Sequence, residues 1–232
     1  MLGIGNSLLN KSYQWQPTFV GADLKLWLRN GVGVLEEQWL DSSGNEANAA
    51  QSSSGNQGSV FQGGIDFAGD EDNHYDLEKD IVCSSQEAFM IFMVCIFDSF
   101  DDQNSILGTG DNNVFLEFQT NRKIRMKAGG VVISAEYASG TFATGASAAV
   151  FGIQRESGST GDIILFKNGS LVAPTNGQKS NTGSLTFNQV GARNSDRTFD
   201  GKILELLCYD TTDLTSSEIS KINNYLKNKH GI

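Results

Sequence analysis

The stretch Ala88–Phe97, AFMIFMVCIF, constrains this chain more than any other. It holds no charge and no alternation of apolar with polar residues. It is far shorter than the ~20 residues a membrane-spanning helix needs. A short continuous apolar run of this kind predicts a central strand buried on both faces. One face then packs into a core between sheets. The outer face needs a separate cover, from an N-terminal arm or from a C-terminal helix.

The rest of the chain reads as the sheets around that strand. Leu24, Leu26 and Leu28 alternate with Lys25, Trp27 and Arg29, the period of a strand, and Trp27 opposite the leucines implies that both faces are covered. Residues 32–39 form a second short strand. The turn after it spans 40–45, where Gly44 permits positive φ and Asp41 and Asn45 can bond nearby amides. Residues 48–64 are a polar loop with an edge strand. They mark no domain boundary, because Ile65-Asp66-Phe67 resumes the pattern at once. Further strands are expected at 105–108, 114–118, 123–127, 131–137, 148–154, 163–167 and 185–190. Ile124 and Met126 alternate with Lys123, Arg125 and Lys127, giving a half-exposed strand with a basic outer face. Asn168-Gly169 supplies the two positive φ angles of a type I′ hairpin.

The last quarter, residues 189–232, reads as a strand pair closed by a helix. Phe199, Ile203, Leu204, Leu206, Leu207 and Tyr209 have strand character. Thr215-Ser216-Ser217-Glu218 has capping-box spacing. Ile219, Ile222 and Leu226 follow at helical spacing, and Gly231 marks the stop. With 26 glycines and only 2 prolines, tight turns dominate over rigid linkers. The predicted fold class is therefore all-β: a two-sheet antiparallel sandwich over residues 17–232 with one short C-terminal helix, preceded by an N-terminal arm at 1–16.

Trp39, Asp41, Ser43, Gly44, Asn45 and Ala49, the Asn168-Gly169 hairpin, and Phe199, Gly201, Ile203, Glu205, Tyr209, Asp210, Tyr225, Leu226, Lys229, Gly231 and Ile232 together closely resemble the signature of concanavalin A-like, laminin G-type jelly rolls. His230 stands where that signature has an aromatic residue. The order of segments is similar to versions of this domain in virion proteins of tailed, especially marine, bacteriophages. The resemblance implies a jelly roll serving as a virion surface protein made in the host cytoplasm. It would be a capsid decoration or fibre-associated subunit that packs on other virion proteins and can form homo-oligomers, with the N-terminal arm as one means of attachment.

Composition narrows the chemistry. A balance of 17 basic against 27 acidic residues, net charge −10, repels phosphate backbones, so no nucleic-acid partner is expected. The start of the chain lacks the pattern of a signal peptide. Cys83, Cys95 and Cys208 all sit in apolar, strand-like surroundings and are expected as buried, reduced thiols of a soluble protein, with a single disulfide and one cysteine left over as the alternative. Sandwich glycanases need two carboxylates alternating on one strand. Neither Glu-x-Asp-x-Glu nor Glu-x-Asp-x-x-Glu occurs, and Glu117 and Glu205 stand alone, so no catalytic residues are assigned. His74 and His230 have no nucleophile motif near them. Calcium is the metal that the acidic loops suit, with Asp70, Asp72, Asn73 and Asp76 (and Glu71) in one, and Asp98, Asp101, Asp102 and Asp111 around another. The blander reading is two solvated acidic loops. Sugar-binding candidates are Tyr75, Phe100, Asn112, Asn113, Tyr137 and Arg193, together with Phe142; each has a core or turn role as its alternative. A carbohydrate-binding module for host or environmental glycans is thus the alternative function, and a glycan hydrolase the third.

Overall fold

The apolar run is strand β8 (Ala88–Phe97), and all its residues except Ile96 are buried. The structure is a computed structural model that describes residues 15–20, 23–68, 72–100, 104–111, 113–145, 147–177, 180–194, 197–211 and 213–232. Around β8 lies a sheet ordered β15 (Ser170–Val172), β14 (Ile163–Lys167), β13 (Ala149–Arg155), β8, β17 (Gly201–Thr211), β6 (Gly64–Phe67) and β5 (Ser59–Phe61). Strand β1 (Asp23–Leu28) also pairs with β17. The second sheet runs β12 (Val131–Glu136), β11 (Lys123–Ala128), β10 (Phe115–Thr120), β9 (Asn104–Gly108), β16 (Leu185–Val190) and β7 (Tyr75–Cys83). It ends in the short strands β4 (Ala49–Ala50), β3 (Gln38–Trp39) and β2 (Val34–Leu35). Among the described residues the sheets thus have eight and nine strands.

Two hydrophobic layers follow. The main core lies between the sheets and holds Leu26, Leu28, Trp39, Phe67, Phe97, Phe118 and Phe187 among others. A second layer on the outer face of the β8 sheet joins Trp27, Met90, Phe92, Val94 and Leu207 to Ile219, Ile222 and Leu226 of helix α1 (Ser216–His230). Trp15 and Val20 pack in the same layer, and Tyr209 Oη donates to the Pro17 carbonyl at 3.1 Å. The helix and residues 15–20 therefore share the task of covering β8. The arm at 1–16 lies outside the described residues except for Trp15 and Gln16.

The helix begins and ends as its residues dictate. Thr215 Oγ1 accepts from the Glu218 amide at 3.3 Å, and Glu218 Oε2 accepts from the Thr215 amide at 2.8 Å. Gly231 closes it in the left-handed region at φ 68°. Asn168 and Gly169 both adopt positive φ, 50° and 86°, as a type I′ hairpin requires.

The structure departs from the sequence reading in three places. The pair of strands expected at the end of the chain is no pair: β16 bonds β7 and β9, whereas β17 bonds β1, β6 and β8 in the other sheet. The chain has therefore changed layers between the end of β16 at Val190 and the start of β17 at Gly201. Phe199 precedes β17 and plugs the inter-sheet core. Secondly, a bulge between Leu24 and Leu26 turns Leu24 onto the helix side beside Trp27, away from Leu26 and Leu28. Thirdly, the strand expected at 32–39 is two short strands, β2 and β3, paired as a hairpin.

Candidate functional site

Two of the hollows lined by the described residues set partly exposed rings beside polar groups. The first lies at the rim, at one end of the sandwich. Asp98, Ser99 and Phe100 follow β8; Thr120 ends β10 and Asn121 opens its turn to β11; Gly140, Phe142, Ala143 and Thr144 belong to the loop after β12. Together they line an open pocket of about 590 Å³. Its floor is aromatic because Phe97, Phe118 and Phe142 pack edge to face beneath it, with ring centroids 4.7–6.2 Å apart. Phe100 rests on Phe97 at 4.8 Å and stays partly exposed. Asp98 pairs with Lys202. The result is a ring beside hydroxyl, amide and carboxylate groups, a surface able to stack on an apolar face while bonding hydroxyls.

The second hollow lies between residues 15–16, Arg29 and the outer side of α1. Lys221, Asn224, Tyr225 and Asn228 recur at the spacing of one helical face and, with Lys229, Trp15, Gln16 and Arg29, enclose about 520 Å³. The Trp15 and Trp27 rings meet Tyr225 edge on, at 6.0 and 6.2 Å. The Arg29 guanidinium lies 4.9 Å over Trp27. Burial first, then the Glu205 charge, pushes the Tyr225 hydroxyl up to about 12 against the pull of Arg29.

Beneath this hollow Glu205 is fully buried. It accepts from Trp27 Nε1 at 2.8 Å, pairs with Lys229 Nζ at 2.8 Å, and meets His230 Nε2 at 2.8 Å. Burial opposes its ionisation, but the His230 hydrogen bond, the Lys229 charge and the other bonds prevail and hold its pKa below the ordinary value. The departure at His230 is thus a working contact, since its ring bonds the signature glutamate.

The other lone glutamate, Glu117, is buried on the outer face of the opposite sheet. Arg125 and Arg193 each approach it at 2.9 Å. Its burial outweighs Arg193, Arg125 and Arg197 and raises its pKa. Glu117 and Glu205 therefore face away from each other across the sandwich, which is not the facing-carboxylate arrangement of a retaining glycosidase.

The residues named from sequence for sugar or metal binding are dispersed. Tyr75 and Tyr137 are 1% exposed and Phe142 is 0% exposed, so no ring face of theirs is open for a sugar. Tyr75 is drawn inward because its hydroxyl donates to the Glu36 carbonyl at 2.6 Å. Arg193 is committed to Glu117 and to the Phe115 ring, 3.9 Å away. Asn113 is exposed and donates to Asp111 at 2.6 Å. Phe100 and Phe142 of that set line the rim hollow, and of the two Phe100 is the one left partly exposed. Asn112 lies outside the described residues, as do Asp70, Glu71, Asp101 and Asp102. In the first acidic loop Asn73 is buried, accepting from the Ala68 amide at 2.8 Å and donating to the Gln57 carbonyl at 3.0 Å. Asp72 and Asp76 are exposed, and Asp76 accepts from Gln189 at 3.0 Å.

Among the described residues, Cys83, Glu87 and Asp210 are grouped closely enough to ligate a metal. A cation already stands beside this group, since the buried Arg155 places Nη2 3.0 Å from Cys83 Sγ and 2.7 Å from the Glu87 backbone carbonyl. The helix-side hollow was not singled out from sequence. The polar face of α1 was its legible signal; that residue 15 folds back onto it was not.

No family model and no curated protein matches the chain. Solved structures do. The binding domain of Paraclostridial Mosquitocidal Protein 1 is 17% identical with a TM-score of 0.59, over 92% of this chain and 54% of that one. Trypanosoma rangeli sialidase is 14% identical with a TM-score of 0.57, over 89% of this chain and 33% of that one. Domain 4 of AbnA, a GH43 extracellular arabinanase from Geobacillus stearothermophilus, solved in complex with arabinotriose, is 15% identical with a TM-score of 0.52, over 87% of this chain and 98% of that one. The chain thus spans about half of the first structure and a third of the second. At these identities the likeness establishes a shared fold, the concanavalin A-like two-sheet sandwich.

Proposed function

We propose that this chain is a non-catalytic carbohydrate-binding module whose rim pocket takes a neutral sugar. The observation that carries the reading is the partly exposed Phe100 ring, set beside Asp98, Ser99, Asn121 and Thr144 around one open hollow. A pyranose or furanose presents an apolar face and a fringe of hydroxyls. A ring flanked by amide, hydroxyl and carboxylate groups matches both. Support also comes from the arabinanase domain of the same fold, whose structure holds arabinotriose and which this chain covers almost throughout. No step of bond cleavage is assigned, because Glu117 and Glu205 are each locked by cations on opposite outer faces.

The test is a panel of neutral oligosaccharides, arabinotriose among them, titrated calorimetrically against the chain and its Phe100→Ala and Asn121→Ala variants. We expect at least one neutral glycan to bind and each variant to weaken it about tenfold, the equivalent of ~1.4 kcal/mol. Asn121 is exposed, so its loss leaves the fold intact. Absence of binding across the panel, or binding indifferent to both substitutions, overturns the proposal.

A second reading, a virion surface subunit that packs on capsid or fibre proteins or on copies of itself, draws on the sheet edges. Edge strand β15 carries Leu171 at 66% exposure and edge strand β12 carries Val131 at 55%, side chains that pairing with another chain would bury. Co-purification with assembled particles at a fixed ratio supports this reading; exclusion from washed particles removes it.

A further inference from the structure

The hollow beside α1 differs in charge from the rest of the molecule. Among the described residues Arg29, Lys221 and Lys229 line it and no carboxylate does, on a chain of net charge −10. Lys229 is engaged with Glu205 at 2.8 Å, whereas Lys221 makes no ion pair among the described residues. Asn224 and Asn228, one turn apart on the same face, likewise make no side-chain hydrogen bond among the described residues. Both amides are exposed and offer donors and acceptors to a ligand. Trp15 and Tyr225 contribute partly exposed rings. At about 520 Å³ the space is within the usual range for small-ligand sites.

Each feature removes a class of ligand. An apolar peptide would leave Lys221, Asn224 and Asn228 facing it unpaired, at a desolvation cost. A neutral sugar would use the rings and amides but not the cations. A bare phosphate would use the cations but not the rings. An acidic sugar residue, with a carboxylate on a ring that has one apolar face, uses all three. We propose that this pocket is a second ligand site, specific for a carboxylate-bearing sugar, with Lys221 and Arg29 meeting the carboxylate and Trp15 and Tyr225 the ring. The inference takes its ligand class from the carbohydrate reading, but it does not depend on the rim pocket.

The test titrates sialyllactose and trigalacturonate, with lactose as the neutral control, against the intact chain at low and at about 0.5 M salt. The acidic probe should bind more tightly than lactose and weaken as salt rises. Lys221→Ala and Asn224→Ala, both at exposed helix positions, should each weaken acidic binding about tenfold, the loss of one good polar contact. Lys79→Ala, which removes an equal charge elsewhere on the surface, should leave it unchanged. Equal affinity for acidic and neutral probes overturns the inference, as does acidic binding that survives both helix substitutions. Acidic binding abolished by Phe100→Ala but kept in Lys221→Ala would assign the ligand to the rim, refuting this site while the carbohydrate reading stands. If neutral glycans and acidic probes all fail to bind, both proposals fall together.

Discussion

Glu205 is a carboxylate sealed from water, tolerated because Trp27, Lys229 and His230 converge on it. A buried charge without such partners would cost several kcal/mol. Its partners come from opposite ends of the chain, so one residue fastens the first strand and the last helical turn to β17. Removing the charge by Glu205→Gln should cost about 3 kcal/mol of unfolding free energy at neutral pH, because Lys229 loses its buried partner. The pH dependence follows from the lowered pKa. The stabilisation is complete above the ordinary value of 4.5 and is lost as the pH falls through the lower folded value, because the unfolded chain takes up the proton first. The deficit of Glu205→Gln should therefore shrink in acid. Urea denaturation of both proteins at about pH 7 and about pH 3 measures it; an equal deficit at both would show that ionisation of Glu205 does not hold the helix down.

Among the elements, α1 does two jobs with two faces. Ile219, Ile222 and Leu226 cover Phe92, Val94 and Leu207 of the sheet, and burying each such side chain contributes ~1.5–3 kcal/mol. The opposite face, with Lys221, Asn224 and Asn228, stays in water and walls the second hollow. The capping box sets where the helix starts and thereby which residues occupy each face. Thr215→Ala should lower stability by about 1 kcal/mol in equilibrium denaturation without changing the dependence on denaturant. A loss below ~0.3 kcal/mol would mean that packing alone fixes the start. Strand β1 teaches the opposite lesson about local pattern. Its leucines alternate regularly in sequence, yet the bulge places Leu24 with Trp27 on the helix side. Pairing with the longer strand β17 decides this, and alternation within β1 carries no trace of it.

At the scale of the whole molecule, three layers (two sheets and a helix) leave all three thiols inside. Burial pushes the Cys83 thiol up to about 12, against the pull of Arg155, and drives Cys95 and Cys208 well above the ordinary range. The native protein should thus be inert to a disulfide reagent at neutral pH and titrate as three thiols in about 6 M guanidinium. A thiol reacting fast in the native state would require an opening that this packing does not provide. Whatever depends on neighbours a few residues away is legible in the residues alone. The apolar run made β8 a doubly buried strand, Asn168-Gly169 made a hairpin, Thr215 and Glu218 started the helix, and Gly231 ended it. Which sheet each strand joins is set instead by long-range packing, which sends β16 and β17 to opposite layers. It also decided which aromatic rings reach the surface: Tyr75 and Tyr137 went to the core, while Phe100, Trp15 and Tyr225 came to line hollows. The difference is one of range. Backbone propensity and capping are settled within a turn or two of chain, whereas exposure and pocket shape are set by contacts between residues as far apart as Trp27 and Glu205.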